Sequence, residues 1–321
     1  MDKKYDVICI GQAVQDILTT NVPKDAFMQE TNTVKADSLT ITTGGDAVNE
    51  AIILTRLGNR SSVVIRLDQR NIGDMIYRDL RDEGVDISLI SRHDDCQNFT
   101  SMIFIHPDGD HDFIVGPGKN YTLTRDDVDF SIFTQTKAVS AASLFTLGEL
   151  DTNGIAEIFQ IAQEAGAYTF ADANFDLNGI GPDVIKHIYP HIDYLIPSLD
   201  EAIYMTSRKD LDEIADWFLD YGVKNVMLKL GEKGCFFKNK EERFFMDPYE
   251  VTPIDTTGCG DNFAAAFIHG ILKEMSHQEC AEFACGAGGL NSQSVGAHML
   301  IHSEEQIRNF MAKTAKRKVK R

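Results

Sequence analysis

The chain has 321 residues, 43% of them hydrophobic and 25% charged, with a formal net charge of −18. That length suits one large α/β domain or two smaller ones. The acidic balance excludes nucleic acid and anionic membrane as main partners, because both would be repelled.

The first residues, MDKKYDVICIG, hold an apolar run one strand long with no small-residue cleavage site behind it. No stretch approaches the roughly 20 apolar residues that span a bilayer. Cys9, Cys96, Cys235, Cys259, Cys280 and Cys285 form no C-x-x-C pair, so reduced thiols in a cytoplasmic protein are expected. Short apolar runs predict strands at 6–11, 62–67, 142–148, 167–172, 194–198 and 225–231. Helical periodicity predicts helices at 47–57, 154–165, 211–221 and 261–275. Strands interleaved with helices imply a doubly wound α/β fold, its mostly parallel sheet flanked by helices. Residues 38–45 and 98–116 alternate polar and apolar positions instead, the second around a Pro107-Asp108-Gly109 turn. They read as a small antiparallel β-sheet able to close over a site as a lid. A single domain over 1–312 is expected, with its lid from 14–43 and 97–116. KTAKRKVKR, residues 313–321, is expected as a disordered basic tail.

The most informative stretch is DTTGCGDNFAAAF, residues 255–267. Behind Gly260 the pattern turns helical, so Thr257-Gly-Cys-Gly260 offers backbone N–H groups at a helix N-terminus, where they attract an anion. A dinucleotide-binding reading fits poorly: Pro253 interrupts the approach, and the first strand ends GQAVQD rather than G-x-G-x-x-G. Asp261 would repel a static pyrophosphate. It suits a transferring phosphoryl group whose acceptor hydroxyl needs a base. It serves equally as a helix N-cap.

This stretch resembles the C-terminal signature, D-T-x-G-A-G-D, of the ribokinase-like (PfkB) carbohydrate kinase family. TTGGDAVNEAIILTRLG, residues 42–58, resembles its N-terminal signature, G-G-x-x-x-N before an alanine-rich helix. The likeness runs on through LKLGEKG to the VGA of 295–297. It implies an ATP- and Mg²⁺-dependent kinase acting on a primary hydroxyl of a neutral sugar, ribokinase- or fructokinase-like, with a nucleoside kinase as the alternative. Asp261 would be the general base, and the amides of Gly258, Cys259 and Gly260 the anion hole. Cys259 stands where alanine is usual, with no thiol chemistry expected.

Asp16, Gly44, Gly45, Asp46, Asn49 and Glu149 match sugar contacts. Lys229, Gly231, Ser198 and Glu201 match the nucleotide side, with Glu201 organising Mg²⁺ through water. Asp255 and the Thr257 carbonyl match a monovalent-cation site, potassium, although Asp255 also reads as a cap of its loop. The family's lids imply a homodimer. Three departures stand out. Ser198 replaces an asparagine, Asp176 an arginine, and Arg70 lies in an altered loop after the second strand. Carboxylates in place of positive charge argue for a neutral sugar.

Overall fold

The computed structural model describes residues 3–28 and 33–320. Residues 29–32, inside the first expected lid segment, lie outside that range, as do 1–2 and 321. Eight strands form the main sheet in the order Arg243–Met246, Cys235–Lys238, Asn225–Lys229, Tyr194–Leu195, Tyr168–Ala173, Thr136–Leu144, Tyr5–Ile10 and Ser61–Val64. The strands from Asn225–Lys229 to Ser61–Val64 pair in parallel, and the hairpin 235–246 adds an antiparallel edge.

The first strand shows why the sheet is covered twice. Val7 and Cys9 enter one apolar core, while Ile8 and Ile10 enter another on the opposite face. Period-two side-chain alternation splits a wholly apolar strand between two layers of helices. One layer contains Asp46–Arg56, Cys259–Leu272 and His277–Asn291. The other contains Ile155–Glu164, Leu199–Thr206 and Leu211–Asp220.

Several expected boundaries move. The strand expected at 142–148 runs over Thr136–Leu144, because its start, TKAVSAAS, pairs through small residues that leave no apolar run to read. The run at 62–67 divides into Ser61–Val64 and Arg66–Asp68, the latter pairing with Ser91–His93 in a separate small sheet. The helix expected from 261 starts at Cys259. The basic tail does not lie free: Ala315 and Arg317 exchange backbone hydrogen bonds with Glu250 and Pro248, and an Arg317 guanidinium nitrogen donates to the Glu232 carbonyl. All six cysteines are free thiols.

The second sheet has the order Leu39–Gly44, Val14–Thr20, Thr100–Ile105, His111–Val115. One of its pairings, between the second and third strands, is parallel, so it is not wholly antiparallel as the alternation implied. Register decides its faces. Ile41, Ile17, Met102 and Ile114 align across the four strands on the outside. Asp16, Ser101 and Val115 share the opposite face with Leu18, Ile103 and Phe113, turned to the body of the molecule. At the hairpin tip, a side chain added at Gly109 would meet the Pro253 carbonyl at 3.2 Å. His111 Nδ1 lies 3.3 Å from Thr256 Oγ1. The lid therefore reaches the segment leading into the helix at Cys259. Among the described residues no helix is long and apolar enough to cross a membrane.

Candidate active site

The glycine loop is shaped by one backbone requirement. Gly258, at φ 70, caps the Cys259–Leu272 helix in the left-handed region, and any Cβ there would overlap Ala297. Asp255, wholly buried, holds the turn: its Oδ1 accepts from Thr257 N (2.9 Å) and Oγ1 (2.7 Å), and its Oδ2 from Gly296 N (2.8 Å). Asn262 Nδ2 donates to the carbonyls of Gly258 (2.7 Å) and Ala297 (2.5 Å), and Asn291 Nδ2 to that of Thr257 (3.0 Å). Of the three amides expected to receive an anion, that of Cys259 is spent on Thr256 O at 3.2 Å. Gly260 and Asp261 lie in the first turn, where a helix has no acceptor four residues back. Burial pushes the Cys259 thiol up to about 12, which removes thiolate chemistry.

Asp261 does not cap this helix, since Gly258 occupies that position. Its Oδ2 accepts from Asn49 Nδ2 at 2.6 Å, joining the two signature helices. Asp46, opening the Asp46–Arg56 helix, accepts from Ser143 Oγ (2.7 Å) and Asn174 Nδ2 (3.1 Å) through Oδ2. Asp16 lies against Gly44, where no side chain could be accommodated beside its carboxylate. Lys229, at its strand's carboxyl end, is mostly buried and pairs with Asp172, at the end of the Tyr168–Ala173 strand. These groups gather beyond the carboxyl ends of parallel strands, where open α/β sheets bind ligands.

The electrostatics are those of crowded acids around one ammonium. Burial raises the Asp261 carboxyl well above the usual range and the Asp46 charge raises it further; the Asn49 hydrogen bond and Lys229 pull the other way. Burial likewise lifts Asp46, against the Ser143 hydrogen bond and Lys229. Asp16 reaches about 7 through burial and the charges of Asp46 and Asp255. Asp172 also reaches about 7, as burial and Glu201 outweigh Lys229. Glu50, one helical turn beyond Asp46, is pushed to about 8 by burial, opposed by the Ser140 hydroxyl donating at 2.7 Å. For Lys229, burial disfavours the charge, but the fields of Asp172 and Glu201 overcome it and hold the ammonium protonated.

Other expected residues fall elsewhere. Glu149 is exposed and turned toward Arg125 N and Asn153 Nδ2, not toward this cluster. Asp176 accepts from the amides of Ile180 and Gly181 and from the Tyr204 hydroxyl, so it shapes its own turn rather than a substrate pocket. Arg70 is exposed, its amide donating to Asp68. Ser198 and Glu201 form a reciprocal capping box, Ser198 N to Glu201 Oε2 at 2.7 Å. Ser198 also bridges to Lys229, which brings that box to the site. Gly231, at φ 56, makes the exposed turn after the Lys229 strand. Gly45, at φ 102, sets the entry of the Asp46–Arg56 helix.

Sequence reasoning missed Glu50, Ser143, Asp172 and Asn174 in this cluster, and His298, whose Nδ1 lies 2.9 Å from Asn49 Oδ1. Glu50 carried a readable signal, a charged residue amid the apolar run of a helix. Asp172 and Asn174 stand four and two residues before Asp176, with no partner nearby in the sequence to give them a role.

A model for the pfkB family carbohydrate kinases matches residues 4–303. A ribokinase of Staphylococcus aureus is 26% identical over 271 residues, covering 82% of this chain and 86% of its own. A putative ribokinase II of E. coli, solved in complex with ATP and Mg²⁺, superposes with a TM-score of 0.82 at 21% identity, over 96% of this chain and 99% of its own. An adenosine kinase of Sinorhizobium meliloti gives 0.82 at 23% identity, over 95% and 99%.

Proposed function

Because this chain belongs to the pfkB family of carbohydrate kinases, and so is a phosphotransferase with an alcohol acceptor, we propose that it phosphorylates a primary hydroxyl of a neutral sugar at the expense of ATP. The observation that carries this reading is the placement of Asp261. Its carboxylate sits in the first turn of the glycine-capped helix, joined to the other signature helix through Asn49. Asp261 takes the proton of the acceptor hydroxyl as that oxygen bonds to the γ-phosphorus. The bond from phosphorus to the bridging oxygen breaks, and ADP leaves. The amides of Gly258, Gly260 and Asp261 face the charge that develops on the transferred group. Lys229 supplies positive charge beside the same loop, its Nζ 3.2 Å from where a Cβ on Gly260 would stand.

Asp16 and Asp46, with Asn49, offer short acceptors and a donor for vicinal sugar hydroxyls. Asp172 and Glu201 suit Mg²⁺, which retains waters and needs few direct protein ligands. When bound with ATP, the ion neutralises phosphate charge and orients the γ-phosphoryl group. A potassium ion beside the loop would have to compete with donors already present: Thr257 and Gly296 on Asp255, and Asn291 on the Thr257 carbonyl.

Nucleoside phosphorylation is the second reading, favoured by Phe113 and Val115. Both are half exposed on the lid face that carries Asp16, a place suited to an apolar base. Phe99, in the same lid segment, is engaged edge-on with Tyr121 at 4.8 Å. ADP release measured across a panel of sugars, adenosine, inosine and cytidine separates the two. Turnover of a sugar with none of the nucleosides is expected, and a nucleoside turned over in preference reverses the assignment. The lid's outer row also supports a homodimer. Sedimentation should report a dimer that Ile114→Glu converts to monomer, and a monomeric wild type removes that part of the proposal.

A further inference from the structure

Asn49 has two chemically distinct ends, and its neighbours fix which way it points. Asp261 acts as a base in its ionised form, and a carboxylate only accepts, so the amide nitrogen must face it. That leaves Asn49 Oδ1, also only an acceptor, 2.9 Å from His298 Nδ1. His298 must therefore donate there. Burial and the nearby Arg56 guanidinium hold its imidazole down to about 4, against the opposing charge of Glu83, so the donor is the neutral Nδ1–H tautomer.

The imidazole is held in place by the backbone around it. Gly296 N donates to Asp255, and the Ala297 carbonyl accepts from Asn262. The His298 carbonyl accepts from Arg56 Nη1, while Glu83 holds the Arg56 guanidinium through two bonds of 2.8 and 2.7 Å. The residue following Ala297 is thus tied both to the glycine loop and to the far end of the Asp46–Arg56 helix.

We propose that His298 is a positioning residue for phosphoryl transfer: its Nδ1–H locks the Asn49 amide so that the amide N–H orients the Asp261 carboxylate toward the acceptor hydroxyl. This rests on reading Asp261 as the base. Without that donor the Asn49 amide is free to turn over, which would set its oxygen against the carboxylate. The charged groups facing Asp261 are Asp46 and Glu50, which raise its proton affinity, and Lys229, which lowers it together with the Asn49 bond. Losing the bond therefore moves the acid limb of the pH–rate profile to higher pH.

His298→Phe keeps a ring and removes the donor. It should lower kcat by about tenfold to a hundredfold, displace the acid limb upward and leave the KM for ATP within about twofold. His298→Asn returns an amide N–H near the position of Nδ1 and should restore most of kcat and the original limb. A Phe variant with the wild-type limb, or an Asn variant as impaired as the Phe variant, overturns the proposal. Nitrogen-15 spectra of histidine-labelled wild-type protein near pH 7 test it without any variant: the Nδ1–H tautomer is expected, and Nε2–H or imidazolium at His298 overturns it. If Asp261→Asn is inactive while both His298 variants behave as wild type, the positioning role fails and the base stands. An active Asp261→Asn removes the base itself.

Discussion

Replacing Asp261 by asparagine is expected to lower kcat by about 10²–10⁴-fold, the usual contribution of a positioned general base. The substitution is nearly isosteric, and its amide oxygen still accepts from Asn49 Nδ2, so the arrangement seen at 2.6 Å can persist. What disappears is proton affinity. A carboxyl acts as a base only when ionised, and burial with the Asp46 charge raises that of Asp261 well above the usual range. Activity should rise with pH through that raised value, and the variant's residual activity should lose this limb. ADP release across a pH series is the measurement. Turnover within about tenfold of wild type, or an unchanged limb, would show that another group takes the proton.

Lys229→Met should cost both stability and activity. Removing one partner of a buried ion pair costs about 3–5 kcal/mol when the remaining charge is uncompensated. Here that charge is on Asp172, with Glu201 adding to the repulsion. Asp172 can escape by staying protonated, which fixes the pH dependence. With Lys229 present, burial already pushes its carboxyl up to about 7. A carboxyl raised on folding contributes stability at low pH that is lost as pH rises through its folded value. Without Lys229 that value lies higher still, so the variant goes on losing stability where the wild type has stopped. The gap between their melting temperatures should therefore open above about pH 7. Lys229→Met combined with Asp172→Leu should recover most of the melting temperature and none of the activity, because the ammonium beside the glycine loop and a carboxylate proposed for Mg²⁺ are both missing. A single variant as stable as wild type near pH 8 would show that the pair is not structurally required.

Much of this site is legible in residue types and spacing. The helix behind Gly260, the glycine loop that opens it and the Asp46–Asn49 face follow from local pattern. The strand expected at 225–231 is marked by its own apolar run and runs over Asn225–Lys229, two residues shorter. Where the reading failed, the information was not local. Glu149 stood after a strand of the expected kind, but the Thr136–Leu144 strand stops sooner, and the following turn carries Glu149 to Arg125 and Asn153. Asp176 looks like a change in pocket charge, yet it accepts from the amides four and five residues further on in its own segment. The Cys259 amide was counted as a donor to ligand until the turn at Thr256 claimed it.

By itself the chain's order of residues determined the alternating βα layout, the glycine that must take a left-handed conformation and the presence of an acid at a helix N-terminus, since each depends on neighbours a few positions apart. Only the tertiary structure decided which polar groups meet. Lys229 pairs with an acid 57 residues away, Asp261 with an amide 212 away and Asn49 with a histidine 249 away. Such partners are chosen by which strand ends and helix starts the parallel sheet brings together. The proton affinities that suit Asp261 to its proposed role come from that convergence: burial and neighbouring charge act through space, and sequence separation carries no record of either.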